Sequence, residues 1–181
     1  MRNVALLFTD LKGSTAMYEK IGDATAYSVV RDHFDYLFGV IEKHSGAVIK
    51  TIGDAVMAAF SRPVDALEAA LEMQERVAEL NKNLSPKPAV VLKIGIHAGP
   101  SIAINGNGIM DYFGTTVNVA ARVQNESAGG DVVVTEGILC DPAARAALDK
   151  RRCAKDEPFE ISLKGLSEVF KLRRLTPGPK C

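Results

Sequence analysis

Two aspartates stand where apolar runs of the sequence end or begin. Asp10 closes the run NVALLFTD, and Asp54 follows Gly53 at the head of AVMAAF. Taken singly, Asp10 is explained as a cap of the next turn and Asp54 as a hairpin residue. If the two carboxylates meet, they raise each other's pKa unless a cation lies between them. Because Mg²⁺ and Mn²⁺ take oxygen ligands of this kind, a joint position predicts a metal site for phosphoryl-type chemistry.

The segment after Asp10 has the composition of a phosphate-binding turn. In DLKGST, Gly13 and the neighbouring backbone N–H groups lead into a turn with hydroxyls at Ser14 and Thr15. Such a turn can hold a phosphate beside a metal ion. The pattern alone is weak, because many strand-to-helix loops share it. A position beside Asp54 would strengthen it.

Two further polar residues, Asn118 and Arg122, are spaced so that they could face a shared space, whereas Lys50 and Asp111 are unremarkable from their spacing alone. Asn118 and Arg122 are four residues apart, which puts them on one face of a helix. Lys50 precedes Asp54 by four residues, and Asp111 precedes Asn118 by seven. An isolated pair such as Asn118 and Arg122 is explained as well by a solvated stripe with a surface ion pair.

Hydrophobic periodicity predicts the elements that position these residues. NVALLFTDL predicts a buried strand, and AVIKTIG and AVMAAFS predict a hairpin that turns at Gly53–Asp54. Pro63 fits the first position of a second long helix, which SPKP ends before a strand in AVVLKIGIHAG. The first long helix begins near Asp23, and its apolar face comprises Tyr27, Val30, Phe34, Leu37 and Ile41.

The order βαββαβ predicts an α+β fold with a ferredoxin-like core and additional C-terminal strands and helices. In this core the first and third strands run antiparallel side by side, with two helices on one face, so Asp10 and Asp54 should lie close together. The rest of the chain predicts a hairpin over residues 100–113 and a helix from about Thr115 to Gln124. A strand in DVVVT, a helix from about Glu136 to Leu148 and two strands near FEISL and EVFKLRRL follow.

Composition and length indicate one globular domain. The chain has 181 residues, 47% hydrophobic and 24% charged, with 22 basic and 22 acidic residues, so its net charge does not predict nucleic-acid binding. We expect one compact domain over residues 1–175 and a flexible tail over residues 176–181. No membrane span or secretory signal is evident, so we expect a cytoplasmic location. Cys140, Cys153 and Cys181 are expected to be free thiols.

The three histidines lack metal-ligand spacing. His97, in GIHAG, is expected to be a hydrogen-bonded strand residue, because no second histidine or cysteine lies at the required distance along the sequence. His33 and His44 lie on or near the first long helix, where we expect exposure to solvent.

Several motifs in order carry a resemblance to a known family. FTDLKGST, IKTIGDAVMAAF, GIHAGP, MDYFGTTVNVAARVQ and LKGLSEVFKL together resemble the class III nucleotidyl cyclase catalytic domain, from Val4 to Leu175. The resemblance implies that Asp10, Asp54 and the backbone carbonyl of Leu11 hold two divalent ions, Mg²⁺ or Mn²⁺. The ribose 3′-hydroxyl would then attack the α-phosphate and expel pyrophosphate.

The same resemblance implies roles for the other polar residues. Lys50 and Asp111 match the pair that reads adenine, where guanylate cyclases typically have Glu and Cys-like residues, so ATP and cyclic AMP are expected. Asn118 would orient the ribose, and Arg122 would stabilise charge in the transition state. Lys164 would reach the terminal phosphates, which Gly13, Ser14 and Thr15 would also contact.

The resemblance also implies a homodimer. In this family the metal residues come from one protomer, and Asn118 and Arg122 come from the other, so a signalling enzyme with two equivalent sites is expected. Guanylate or pyrimidine cyclase specificity is one alternative. A catalytically silent nucleotide-binding or partner-binding regulatory domain is another, although none of its expected residue losses is seen. A diguanylate cyclase or polymerase-palm relative is disfavoured, because the hairpin reads Ile-Gly-Asp-Ala.

Overall fold

The structure is a computed structural model, and it describes residues 2–82, 89–106, 109–151 and 155–178. Eight strands in these ranges form one sheet with the order β2-β3-β1-β4-β6-β8-β7, and β5 pairs with β4 outside this path. The strands are β1 (Arg2–Leu11), β2 (Ala47–Ile52), β3 (Ala55–Phe60), β4 (Leu92–Gly106), β5 (Ile109–Phe113), β6 (Val132–Thr135), β7 (Lys155–Ser162) and β8 (Val169–Thr176). The helices are α1 (Ser14–Ile21), α2 (Asp23–Lys43), α3 (Pro63–Lys82), α4 (Thr115–Asn125), α5 (Glu136–Leu139) and α6 (Pro142–Lys150).

The predicted ferredoxin-like core is confirmed. β1 lies between β3 and β4 and is antiparallel to both. Thr9 pairs with Val56 of β3, and Asp10 pairs with Lys93 of β4. The carboxyl end of β1 therefore lies beside the beginning of β3, as the sequence predicts.

Helices cover both faces of the sheet, and this explains why β1 is continuously apolar from Val4 to Phe8. Successive side chains of a strand point to opposite faces. Leu7 packs in the cluster that includes residues of α2 and α3, whereas Leu6 packs with Ala120 of α4. Both leucines have no exposed surface. A strand buried on both faces reads as a continuous hydrophobic run.

The helices differ from the sequence predictions in three places. Tyr27, expected on the apolar face of α2, is 64% exposed. A short helix, α1, occupies residues that carry no clear apolar period, and none of its residues is fully buried. The single helix expected from Glu136 to Leu148 is wrong, because α5 ends at Leu139 and α6 begins at Pro142. Pro142 disfavours a helical conformation of the preceding residue. Asp141 instead caps α6, and its side chain accepts a hydrogen bond from Ala144 N at 2.9 Å.

The hairpin predicted over residues 100–113 is an extension of β4 paired with β5. β4 pairs with β1 as far as Ser101, and beyond that its partner is β5, beginning with Ile102 opposite Phe113. We call the segments 102–106 and 109–113 the β4–β5 arm. Large apolar side chains of the arm are exposed, among them Ile102 and Phe113 at 48% and 51%.

Some sequence predictions fall outside the described residues. These are the SPKP break, Cys153, Cys181 and the end of the tail beyond residue 178. Cys140 is exposed and has a free thiol, as expected. None of the helices that the structure describes is long and apolar enough to cross a membrane.

Candidate functional site

Asp10 and Asp54 lie at the same end of two neighbouring strands, β1 and β3. Asp10 is the penultimate residue of β1, and Asp54 occupies the β2–β3 turn, where Gly53 has φ +63°. Burial raises the pKa of Asp10, and the charge of Asp54 raises it further. Lys93, opposite Asp10 on β4, lowers it in part. The two carboxylates therefore interact across neighbouring strands.

The chemistry of this pair fits a divalent cation. Oδ2 of Asp54 is buried and has no hydrogen-bond partner, an arrangement that costs free energy unless another group compensates it. Leu11, whose carbonyl is the third proposed ligand, is the last residue of β1. Within the described ranges, no group of three or more histidine, cysteine, aspartate or glutamate side chains could hold a metal. Two carboxylates suit Mg²⁺, which usually completes its shell with water and substrate phosphates.

The predicted phosphate-binding turn directly follows these residues. Gly13 has φ +75° and precedes α1, whose first turn contains Ser14 and Thr15. No side chain caps this helix, so backbone N–H groups of its first turn are available to an anion. An open pocket of about 220 Å³ adjoins the turn, and its lining includes Lys12 and Lys20.

Lys50 and Asp111 form an ion pair between β2 and the arm. Nζ of Lys50 donates to both carboxylate oxygens of Asp111, at 2.9 and 2.7 Å. The backbone N–H of Tyr112 also donates to Asp111, at 2.8 Å. These hydrogen bonds, with that from Lys50 foremost, lower the pKa of Asp111. The pair presents one donor group and one acceptor group at the same location.

Asn118 and Arg122 project from α4, which packs closely on the sheet. Gly95 of β4 makes this approach possible, because a Cβ there would lie 2.1 Å from the backbone N of Gln124. Asn118 is exposed and Arg122 is partly exposed. Arg122 donates from Nη1 to the backbone carbonyl of Asn118 at 3.1 Å, and from Nε to the carbonyl of Lys164. Its partners are thus carbonyls, and the surface ion pair considered from sequence is not observed among the described residues.

The structure gathers the predicted residues into three groups. The first contains Asp10 and Asp54, next to residues 11–15. The second is the pair Lys50 and Asp111. The third contains Asn118, Arg122 and Lys164, whose side chain is exposed. Among the hydrogen bonds and ion pairs of the described residues, none joins one group to another.

The expected exposure of His33 is wrong. His33 is 5% exposed, and its Nε2 is buried without a hydrogen-bond partner. Burial lowers the pKa of His33 to about 4, although the charge of Asp54 acts in the opposite direction. The sequence contained a signal, because His33 lies three residues after Val30 and four before Leu37 on the buried face of α2. His97 is hydrogen-bonded as expected, with Nδ1 2.9 Å from Oγ1 of Thr135.

Comparison with known proteins gives a consistent result. The sequence model described as "Adenylate and Guanylate cyclase catalytic domain" matches residues 1–170. An adenylate cyclase of Lachancea kluyveri is 29% identical over 178 residues, which cover 87% of this chain and 10% of that protein. The chain thus spans about a tenth of the length of this curated relative.

Solved structures with this fold include cyclases of both base specificities. The adenylyl cyclase CyaB from P. aeruginosa superposes with a TM-score of 0.81 at 18% identity, covering 99% of this chain and 96% of that one. The guanylyl cyclase Cya2 gives a TM-score of 0.81 at 22% identity, covering 98% and 93%. At these identities the likeness concerns the fold alone and does not distinguish ATP from GTP.

Proposed function

The chain belongs to the adenylate and guanylate cyclase catalytic domain family, and we propose that it converts ATP to 3′,5′-cyclic AMP and pyrophosphate. The observation that carries this proposal is the pair Asp10 and Asp54, which lies directly before the uncapped turn at Gly13. Carboxylates beside free backbone N–H groups suit a ligand that combines metal ions with phosphates.

Asp10, Asp54 and the carbonyl of Leu11 would hold two divalent ions, Mg²⁺ or Mn²⁺. When bound, these ions neutralise the triphosphate and favour ionisation of the ribose 3′-hydroxyl. Gly13, Ser14 and Thr15 contact the phosphates through backbone N–H groups and hydroxyls. Asp10 supports this assignment, because burial and then the charge of Asp54 raise its pKa, and a cation between the two carboxylates would favour their charged forms.

Adenine recognition is assigned to Lys50 and Asp111. The ammonium of Lys50 donates to a ring nitrogen, and the carboxylate of Asp111 accepts from the exocyclic amine. Guanine has a carbonyl where adenine has this amine, so it would leave Asp111 without a donor. An unpaired buried polar group costs about 1–3 kcal/mol, which disfavours GTP.

The remaining roles belong to the third group. Asn118 orients the ribose, Arg122 stabilises charge that develops on the phosphoryl group, and Lys164 contacts the terminal phosphates. No described hydrogen bond connects these residues with Asp10 or Asp54 of the same chain. We therefore propose a homodimer in which each site combines the metal-binding residues of one protomer with Asn118 and Arg122 of its partner.

A guanylate cyclase is the second candidate, since the fold is shared equally with enzymes of that specificity. The proposed product implies a role in cyclic-nucleotide signalling. We also propose that the reaction takes place in the cytoplasm, because nucleoside triphosphates are made and used there.

The test is incubation of the purified protein with ATP, GTP, CTP and UTP, in Mg²⁺ and then in Mn²⁺, followed by chromatography of cyclic products. Cyclic AMP that is absent with Asp54→Ala supports the reaction and the base assignment. If cyclic GMP predominates, the proposed reaction stands, but the assignment of adenine recognition to Lys50 and Asp111 is overturned. No product at a concentration where the protein is dimeric overturns the enzymatic proposal.

A further inference from the structure

The turn between β7 and β8 closes against α4 at Arg122. Leu166 N donates to Leu163 O at 3.0 Å, which defines a tight turn over residues 163–166. Leu163 is 2% exposed and belongs to the same buried cluster as Val119 and Val123 of α4. Since these two valines flank Arg122 along the helix, the turn is anchored by apolar packing next to the guanidinium.

The hydrogen bonds of Arg122 define the plane of its guanidinium. Nε donates to the carbonyl of Lys164, and Nη1 donates to the carbonyl of Asn118 at 3.1 Å. Both acceptors are backbone atoms, so their positions are determined by the turn and by α4. A planar guanidinium held at two of its nitrogens has little rotational freedom. No described hydrogen bond involves Nη2.

Gly165 lies beside Nη2 of Arg122, the guanidinium nitrogen for which no hydrogen bond is described. Its φ is +77°, a conformation that side chains other than those of glycine, asparagine and aspartate rarely adopt. A Cβ at this position would lie 3.4 Å from Nη2 of Arg122. Any longer side chain would therefore occupy the space next to Nη2 or bond to it.

We propose that the β7–β8 turn is a positioning element for Arg122, in which the Lys164 carbonyl orients the guanidinium and Gly165 keeps Nη2 open to the substrate. The inference rests on the proposed function, because it presumes that Arg122 contacts a phosphoryl group. The same turn then determines the positions of two positively charged groups, the guanidinium of Arg122 and the exposed ammonium of Lys164. A displacement of the turn would move both together.

The first test compares Gly165→Asn with Gly130→Asn. Asparagine is among the few residues that adopt a left-handed backbone, and the two glycines have nearly the same φ. Gly130 provides the matched control, because its φ is +78° and nothing lies within 4 Å of a Cβ there. For the nucleotide that the wild type converts, Gly165→Asn is expected to lower kcat about tenfold or more with KM within about twofold, as for a contact made in the transition state. Gly130→Asn is expected to retain the wild-type kcat.

A double-mutant cycle separates positioning from general damage. In an Arg122→Ala background, Gly165→Asn is expected to cause no further loss, because its target is absent. An equal loss in both backgrounds would overturn the proposal, as would an equal effect of Gly130→Asn.

A readout independent of activity is the ¹⁵N NMR resonance of the Arg122 Nε–H, assigned by its disappearance in Arg122→Lys. The hydrogen bond to Lys164 predicts slow exchange with water in the wild type and in Gly130→Asn. Gly165→Asn should shift this resonance and accelerate its exchange. If the wild type makes no cyclic nucleotide, the proposed function fails while this measurement still tests the contact. A rapidly exchanging wild-type resonance would refute the positioning role.

Discussion

Lys50 donates to both carboxylate oxygens of Asp111, although the two residues are 61 positions apart. Lys50 lies on β2, at the edge of the sheet path, and Asp111 lies on the β4–β5 arm. In the absence of nucleotide the two groups therefore satisfy each other. In the proposed function, a base that binds between them must replace this ion pair with equivalent hydrogen bonds, and this replacement would be the basis of selectivity.

Substitution of both Lys50 and Asp111 should change the preference for adenine over guanine. The double variant Lys50→Glu/Asp111→Cys presents an acceptor where the wild type has a donor, which suits guanine. We expect the ratio of kcat/KM for ATP to that for GTP to fall about 100-fold or more. Steady-state kinetics with both nucleotides measures this ratio.

Lys50→Ala alone should impair ATP turnover, because it removes the proposed donor to the base. Lys43→Ala is the matched control for this variant. Lys43 also donates to both oxygens of a carboxylate, that of Glu72, at 2.9 and 2.7 Å. If Lys43→Ala and Lys50→Ala impair ATP turnover equally, the effect reflects stability and not recognition.

Removal of one carboxylate of the pair Asp10 and Asp54 should stabilise the metal-free protein while abolishing turnover. Burial and the charge of Asp54 raise the pKa of Asp10, so the charged pair destabilises the native state at neutral pH. In EDTA, Asp54→Asn should raise Tm by about 1–2 °C, because solvent screening of the partly exposed Asp10 limits the repulsion to ~0.5 kcal/mol. Mg²⁺ should raise the Tm of the wild type more than that of the variant.

Asp149→Asn controls for loss of an aspartate. Asp149 lies on α6 with its side chain 57% exposed and pairs with Arg145. It should show neither the increase in Tm nor the loss of product. A lower Tm for Asp54→Asn in EDTA would argue against repulsion between Asp10 and Asp54.

Two strongly impaired variants should complement each other if the site is shared. In a refolded equimolar mixture of Asp54→Ala and Arg122→Ala, half of the dimers are mixed, and each has one intact site. Activity should therefore recover to about one quarter of the wild-type value. Each variant alone should keep only a small residual activity, far below this recovery. An active wild-type protein whose mixture shows no recovery would place all roles within one protomer.

His97 should make the protein less stable in mild acid. Burial lowers its pKa to about 4, from an ordinary value of 6.5. Between these pH values the unfolded chain binds more protons than the native chain, so stability falls as pH decreases through the window. The contribution is on the order of 1–3 kcal/mol across the window.

His97→Gln tests this pH dependence. Glutamine keeps a hydrogen-bonding group near Thr135 but does not titrate. Urea unfolding at several pH values should give a flatter dependence of the unfolding free energy for this variant. Parallel curves for wild type and His97→Gln would show that another group is responsible.

The core of the fold could be predicted because its signals are local and repeated. Period and turn residues defined α2, the β2–β3 hairpin and α3, and the βαββαβ order then brought Asp10 to Asp54. The identities of the site residues came from motif resemblance, and their roles stay predictions. The ion pair between Lys50 and Asp111 could not be derived, because it depends on where the arm meets β2.

The failures have physical causes. α1 buries none of its residues completely, so its apolar pattern was too weak to read. The break at Asp141–Pro142 was obscured by the many alanines of α6, which favour helix over the whole region. His33 was misjudged because residue type outweighed its position on the buried face of α2.

The neighbours of β1 impose an order on biosynthesis. β1 is made first, but its partners β3 and β4 follow some 50 to 90 residues later. At about 5–20 residues per second, the ribosome needs roughly 5–20 s before residue 101 is available to pair with β1. During this interval Leu6 and Leu7, which end with no exposed surface, lack a complete sheet to cover them. The nascent chain is therefore most prone to aggregation, and most dependent on chaperones, before β4 emerges.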